Sequence, residues 1–126
     1  MGGTVLICDD AAFMRSCIAR VLTGAGFEVV AEATNAKEAV ERYVQYRPDL
    51  VTMDIVMPDR SGVEALRDIL AEDPEARVLM CTAINQKPLV DDALKIGAKH
   101  YVVKPFTPPD LLNAVEVVFS CAAKSG

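Results

Sequence analysis

Five polar residues stand directly behind short apolar runs in this sequence. Asp9 and Asp10 follow residues 5–8, Asp54 follows 50–53, Thr82 follows 78–81, and Lys104 follows 101–103. Three carboxylates within a few ångströms of one another repel strongly unless a cation joins them. A hard divalent ion such as Mg²⁺ meets that need, because it prefers carboxylate oxygens and keeps several waters, leaving room for a phosphoryl group. A carboxylate beside Mg²⁺ and a lysine is placed to attack phosphorus, since both cations neutralise charge on the transferring oxygens. The Thr82 hydroxyl can hydrogen-bond a phosphoryl oxygen. For any one of these residues a plainer reading holds: a solvated acid capping a strand end, with Lys104 paired to one of them. The recurrence of the pattern after four separate runs is what points to chemistry.

Such residues need elements that deliver them to one edge. Strands are expected at 5–8, 29–33, 50–53, 78–81 and 101–103, where the sequence is apolar or β-branched apart from Glu32. Between them the apolar residues recur at helical spacing. Phe13, Met14, Cys17, Ile18, Val21 and Leu22 form one stripe, stopped at 24–26. Ala39, Val40, Tyr43 and Val44 form the next, capped by Thr34 or Asn35. Val63, Leu66, Ile69 and Leu70 follow an opening at Ser61-Gly62. Residues 87–96 make a fourth helix, closed by Gly97, and Thr107 with Pro108 opens the last. Five strand–helix units with short connections predict a parallel sheet covered on both faces, a doubly wound α/β fold in one domain spanning 1–126. In such a sheet, ligands bind beyond the carboxyl ends of the strands, where these five polar residues fall.

The chain has 126 residues, 52% hydrophobic and 25% charged, a balance that argues against disorder. Its net charge of −5 disfavours direct binding of nucleic acid. No apolar run approaches bilayer length, so membrane insertion is not expected, and nothing after Met1 reads as a secretion signal; the expected location is cytoplasmic. Cys8, Cys17, Cys81 and Cys121 form no C-x-x-C pair and His100 is the sole histidine, which leaves a zinc site without spacing to support it. The first three cysteines read as small buried hydrophobes. Gly24-Ala25-Gly26 follows a helix, so it is a helix stop and not a nucleotide-binding loop.

Asp9-Asp10, the segment Met53-Asp54-Ile55-Val56-Met57-Pro58 with Gly62, the pair Thr82-Ala83, and Lys104-Pro105-Phe106 together resemble response-regulator receiver domains. The runs Asp9-Asp10-Ala11-Ala12-Phe13-Met14-Arg15 and Glu32-Ala33-Thr34-Asn35 are most similar to the stand-alone, CheY-type chemotaxis regulators. The resemblance implies a five-stranded sheet in the order 2-1-3-4-5. It implies Asp54 as phosphoacceptor, receiving its phosphoryl group from a CheA-type sensor histidine kinase. Mg²⁺ would be held by Asp10, by Asp9 largely through water, by Asp54 and by the main-chain carbonyl of Val56. Lys104 would pair with the phosphoryl group, and its bond to Pro105 is expected to be cis. Thr82 would move toward the phosphate and Tyr101 would turn into the space it leaves, remodelling the face made by helix four, strand five and helix five. Lys87, Val90, Tyr101, Ala114 and Val117 would lie on that output face, which would dock a flagellar motor switch component or another output protein; a phosphatase is a further possible partner.

In that strand order Cys8 and Cys81 would be roughly 10 Å apart across the intervening strand, beyond disulfide reach. Val56 and Ile84, two residues after Asp54 and Thr82, occupy positions that tune phosphate lifetime in the family. Both are apolar, and the expectation is slow hydrolysis because neither orients an attacking water. Helix five carries a wide apolar arc, with Leu111, Val115, Val118 and Ala122 flanked by Leu112 and Phe119 and, on the other side, by Ala114, Val117 and Cys121. Its width fits either a docking surface or a helix set deep in the fold. His100 reads as a strand-end surface residue.

Three other functions stay in view. The chain fits a phosphorelay intermediate, or a receiver belonging to a longer transcription factor. A Mg²⁺-dependent aspartyl-phosphate phosphatase of the haloacid-dehalogenase type would need an acid two residues beyond its nucleophile, where this sequence has Ala11 and Val56. The expectation is a phosphoacceptor without enzymatic turnover of its own beyond self-catalysed transfer and dephosphorylation.

Overall fold

A computed structural model describes residues 2–83 and 85–125, with side chains through residue 120. Ile84 and the side chains of Cys121 and Ala122 lie outside the described residues. The elements alternate throughout: β1 (Gly3–Cys8), α1 (Ala12–Gly24), β2 (Phe27–Ala33), α2 (Ala36–Tyr46), β3 (Leu50–Asp54), α3 (Gly62–Glu72), β4 (Val78–Ala83), α4 (Lys87–Ile96), β5 (His100–Lys104) and α5 (Pro108–Ser125). All four strand pairings are parallel and the order is β2-β1-β3-β4-β5, as expected.

Every residue of β3 is buried, which is why its sequence runs apolar without alternation. Two cores result. Leu6, Cys8, Met53 and Met80 pack under α2, α3 and α4 with Tyr43, Leu66, Ile69 and Val90. On the other face Ile7, Leu79 and Cys81 pack under α1 and α5 with Ile18, Leu22, Leu111, Val115 and Val118. Cys8 and Cys81 therefore belong to opposite cores, with β3 between their strands, and both are free thiols.

Local chemistry sets the helix ends. Asn35 caps α2 by accepting from the Glu38 N–H at 2.8 Å. Ser61 and Glu64 form a capping box at α3. At α5 the Asp110 N–H donates to the Thr107 hydroxyl at 3.2 Å, and the Thr107 N–H to Asp110 at 3.0 Å. Strands run longer than the apolar runs suggest. β2 begins at Phe27, two residues before the expected start, because Phe27 is buried and pairs with Gly3. β5 takes in His100 through its pairing with Leu79. Along β1 and β2 the register shifts once: Val5 pairs with Val29 but Leu6 with Ala31, leaving Val30 as the extra residue of a bulge.

α5 is mostly core. Leu111, Ala114, Val115 and Val118 are buried, while Val117 is 39% exposed. Packing against β4, β5 and α1 thus accounts for most of the helix's apolar width.

Candidate functional site

Three of the strands end at one place with their polar residues facing each other. Asp54 is the last residue of β3, Lys104 the last of β5, and Asp9 follows β1 directly. Carboxylate oxygens of Asp9, Asp10 and Asp54 all lie within 4.8 Å of one another. The Lys104 ammonium donates to Asp9 Oδ2 at 2.8 Å and sits 3.4 Å from Asp54 Oδ1. Asp9 and Asp54 are buried and Asp10 is exposed.

Burial pushes the Asp54 carboxyl up from its ordinary value, and the Asp9 charge adds to this; Lys104 and the Val56 N–H pull the other way without prevailing. For Lys104, burial works against the charged form, but the bond to Asp9 and the charges of Asp54 and Asp9 outweigh it and hold the amine above its usual range. Three acids gather beside a single ammonium that pairs with two of them, Asp9 and Asp54, so negative charge is in excess. An all-oxygen, crowded and partly exposed donor set of this kind fits a small hard cation such as Mg²⁺ and has no soft ligand to favour zinc or copper.

The backbone around these acids is fixed from several sides. The Asp9 N–H donates to the Ala33 carbonyl at 3.0 Å, the Ala11 N–H donates to Asp9 Oδ1 at 2.9 Å, and Arg15 Nη1 donates to the Asp9 carbonyl at 2.7 Å. Arg15 is itself paired with Glu32 at 2.8 Å. Gly62 seats the start of α3 against the Asp54 backbone: a Cβ there would collide with the Asp54 carbonyl oxygen, so no side chain is accommodated. The Lys104–Pro105 peptide is cis.

Thr82 is buried, and its hydroxyl donates to the Ala83 carbonyl at 3.0 Å, with Gln86 Oε1 at 3.4 Å. Beside it lies a cavity of about 200 Å³ lined by Thr82, Ala83, Lys87, Val90, Tyr101 and Val103. Tyr101 is half-buried against the first core. A second, shallower groove of about 390 Å³ runs between β5 and α5 past His100, Tyr101, Asp110, Asn113 and Val117. Of the five residues assigned to the output face, Lys87 and Val117 reach the surface. Val90 and Ala114 are 3% and 5% exposed, so they support that face from beneath instead of forming it. Lys87 is paired with Asp91 at 2.9 Å. His100 is half-buried at the start of β5, and burial lowers its imidazole from the ordinary value.

Sequence reasoning assigned no role to Arg15, Asp59 or Gln86. The Asp59 carboxylate accepts from the Ala36 and Lys37 N–H groups at 2.9 and 3.0 Å. For Arg15, a basic residue in the first helical turn after paired acids was the available signal. Asp59 had none nearby, because its partners are 22 and 23 residues away.

Residues 5–116 match the response regulator receiver domain family. The chain is 48% identical over 118 residues to the chemotaxis protein CheY of Thermotoga maritima, covering 94% of this chain and 98% of that one. It is 50% identical over 115 residues to the chemotaxis protein CheY of Bacillus subtilis, covering 91% and 96%. Among solved structures, the CheX–CheY–BeF₃–Mg²⁺ complex of Borrelia burgdorferi aligns with a TM-score of 0.88 at 37% identity, covering 92% of this chain and 88% of that one. No helix among the described residues is long and apolar enough to cross a membrane. With the strand order, the acid cluster and these relatives in agreement, the chain belongs to the response regulator receiver domain family, in the company of CheY chemotaxis proteins.

Proposed function

We propose that this chain is the phosphoacceptor of a two-component pathway, taking a phosphoryl group onto Asp54 from the phosphohistidine of a CheA-type kinase and passing the change to an output protein of chemotaxis. The observation that carries the reading is the convergence of Asp9, Asp10 and Asp54 oxygens within 4.8 Å beside one buried-edge lysine. In the transfer, an Asp54 carboxylate oxygen forms the new O–P bond while the N–P bond of the phosphohistidine breaks. The electron pair stays on the imidazole nitrogen, which takes up a proton. The chemistry supplied by Mg²⁺, when held by Asp9, Asp10, Asp54 and the Val56 carbonyl, is neutralisation of charge on the phosphoryl oxygens.

Lys104 leaves its bond with Asp9 and pairs with a phosphoryl oxygen. Thr82 exchanges its bond to the Ala83 carbonyl for one to the phosphoryl group, and Tyr101 turns into the neighbouring cavity. Contacts made only in that arrangement shift a pre-existing equilibrium toward it. The remodelled surface of α4, β5 and α5, edged by Lys87 and Val117, then docks a flagellar motor switch component or another output protein. Val56, with an apolar side chain 54% exposed at the mouth of the site, orients no attacking water, so the phosphoryl group is slow to hydrolyse. The chain turns over no external substrate; water or a partner phosphatase removes the group.

Intact mass after incubation with Mg²⁺ and a small phosphoryl donor tests this. The expected result is a gain of one phosphoryl group by the wild type, absent with EDTA and absent in Asp54→Asn. A folded protein that binds Mg²⁺ yet gains no mass overturns it.

A further inference from the structure

We infer that Asp59 is a positioning residue for the cation site: from the loop after β3 it caps the amino end of α2, and so fixes the segment carrying Val56 relative to Asp9. The inference rests on the reading above, in which Asp9, Asp10, Asp54 and the Val56 carbonyl hold Mg²⁺.

Residues 55–61 connect β3 to α3 without regular structure of their own. The loop is pinned at its start, where the Ile55 N–H donates to the Cys81 carbonyl at 3.2 Å, and at its end, where the Gly62 N–H returns to the Ile55 carbonyl at 2.7 Å. Between them Met57 is buried in the first core, while Val56 projects outward. Asp59 supplies the polar tether. Its two oxygens take separate N–H groups, Ala36 at 2.9 Å and Lys37 at 3.0 Å.

α2 does not lack a cap of its own. Asn35 already accepts from the Glu38 N–H, and Glu38 in turn accepts from the Thr34 N–H and hydroxyl, each at 2.8 Å. An ordinary N-cap leaves the first donors of a helix open. Here those donors are filled from a distant loop by an anion at the positive end of the helix. The bonds to Ala36 and Lys37 hold the Asp59 carboxyl down at about 2, so it is ionised at neutral pH.

The same turn also holds Asp9. Ala33 accepts from the Asp9 N–H at 3.0 Å, three residues before Ala36. Residues 33–37 therefore bridge two parts of the site that are far apart in sequence: the acid behind β1 and the loop behind β3. Mg²⁺ demands near-ideal octahedral geometry, which makes its affinity sensitive to the spacing of these parts.

The experiment is a calorimetric Mg²⁺ titration of wild type, Asp59→Ala, Asp59→Asn and Asn35→Ala, each confirmed folded by circular dichroism. Phosphoryl uptake from a small donor is followed across the same Mg²⁺ range. Asp59→Ala is expected to weaken Mg²⁺ binding about tenfold, the scale of losing an outer-shell partner. Its uptake rate recovers at saturating Mg²⁺. Asp59→Asn, with one strong acceptor in place of two, falls between Asp59→Ala and wild type. Asn35→Ala removes the local cap and lowers the melting temperature but keeps wild-type affinity. Wild-type affinity in Asp59→Ala overturns the inference, and so does an equal loss in Asn35→Ala, which would make the effect one of general stability. If Asp59→Ala does not fold, wild-type affinity in Asp59→Asn overturns it. A wild type that binds no Mg²⁺ removes the functional reading itself, a result distinct from either of these.

Discussion

At the carboxyl edge of the sheet Asp54 and Asp9 share one ammonium, while at the amino edge Asp73 has a phenol to itself. The Tyr43 hydroxyl donates to Asp73 Oδ2 at 2.6 Å, the Glu75 N–H donates to Oδ1 at 3.0 Å, and Arg47 stands 3.9 Å off. The Tyr43 bond holds the Asp73 carboxyl below its ordinary value, whereas burial holds Asp54 above it. One edge has its charge satisfied and joins the ends of α2 and α3. The other keeps charge in excess beside a lone lysine. Stability lost at the second edge is what an incoming cation or phosphoryl group can restore, so the unsatisfied edge is the one suited to respond.

The contrast can be broken most sharply at Gly62. Gly62→Ala drives a Cβ into the Asp54 backbone and is expected to cost roughly 3 kcal/mol in chemical denaturation, the upper range for overpacking. A loss well below that would mean α3 lifts off the site without penalty. At the other edge Tyr43→Phe removes the hydroxyl that donates to Asp73 Oδ2, and the expected cost is about 1–2 kcal/mol by the same measurement.

A matched pair of substitutions sharpens the comparison further. In EDTA at neutral pH, Asp54→Asn is expected to raise the melting temperature by a few degrees and Asp73→Asn to lower it by a similar amount. The signs follow from linkage. Asp54 titrates higher folded than unfolded, so its ionised form costs stability above its folded value, and the cost vanishes below 3.8. Asp73 titrates lower when folded, so its contribution is present above 3.8 and is lost as the pH falls through its folded value. Thermal melts across that acid range should show both differences closing. Equal signs at neutral pH would dissolve the distinction between the edges.

The smallest effect is expected at Thr52, two residues before Asp54, whose buried hydroxyl has no partner among the described residues. Thr52→Val keeps the shape and removes the unpaired group, and should stabilise the chain by up to about 1 kcal/mol. A destabilisation would show that water satisfies the hydroxyl in solution.

Legibility in the sequence tracked the distance over which each interaction acts. The acids, Thr82 and Lys104 were visible because each borders an apolar run that must be a buried strand. Caps at Asn35, Ser61 and Thr107 were visible because their partners lie two or three residues on. The strand order came through family resemblance, since parallel pairing leaves no mark on any one segment. Asp59 and the Tyr43–Asp73 bond were not visible, for each joins elements 22 to 30 residues apart; Arg15 left only the signal of a basic residue one turn beyond the paired acids. α5 stayed ambiguous because periodicity reports how wide an apolar arc is without reporting what covers it.

The bulge at Val30 has a consequence for the length of β2. Ahead of it Phe27 and Val29 join the core under α1 and α5; beyond it Ala31 and Ala33 join the core under α2–α4. In a regular strand of the same residues, positions of equal parity would stay on one side of the sheet. The single insertion thus acts as a half-period phase shift, letting one strand serve both faces in turn. Deleting Val30 would close the bulge and leave everything downstream on its present face, because Leu6, Ile7 and Cys8 already pair with Ala31, Glu32 and Ala33; a regular ladder that kept Val30 would instead exchange the two faces downstream. In that regular ladder Glu32, which holds Arg15 against the Asp9 carbonyl, would turn to the face under α2–α4, and Ala33, which receives the Asp9 N–H, to the face under α1 and α5. The facing of residues 31–33 beside the acid cluster is thus set by a one-residue bulge in a strand that contributes no side chain to that cluster.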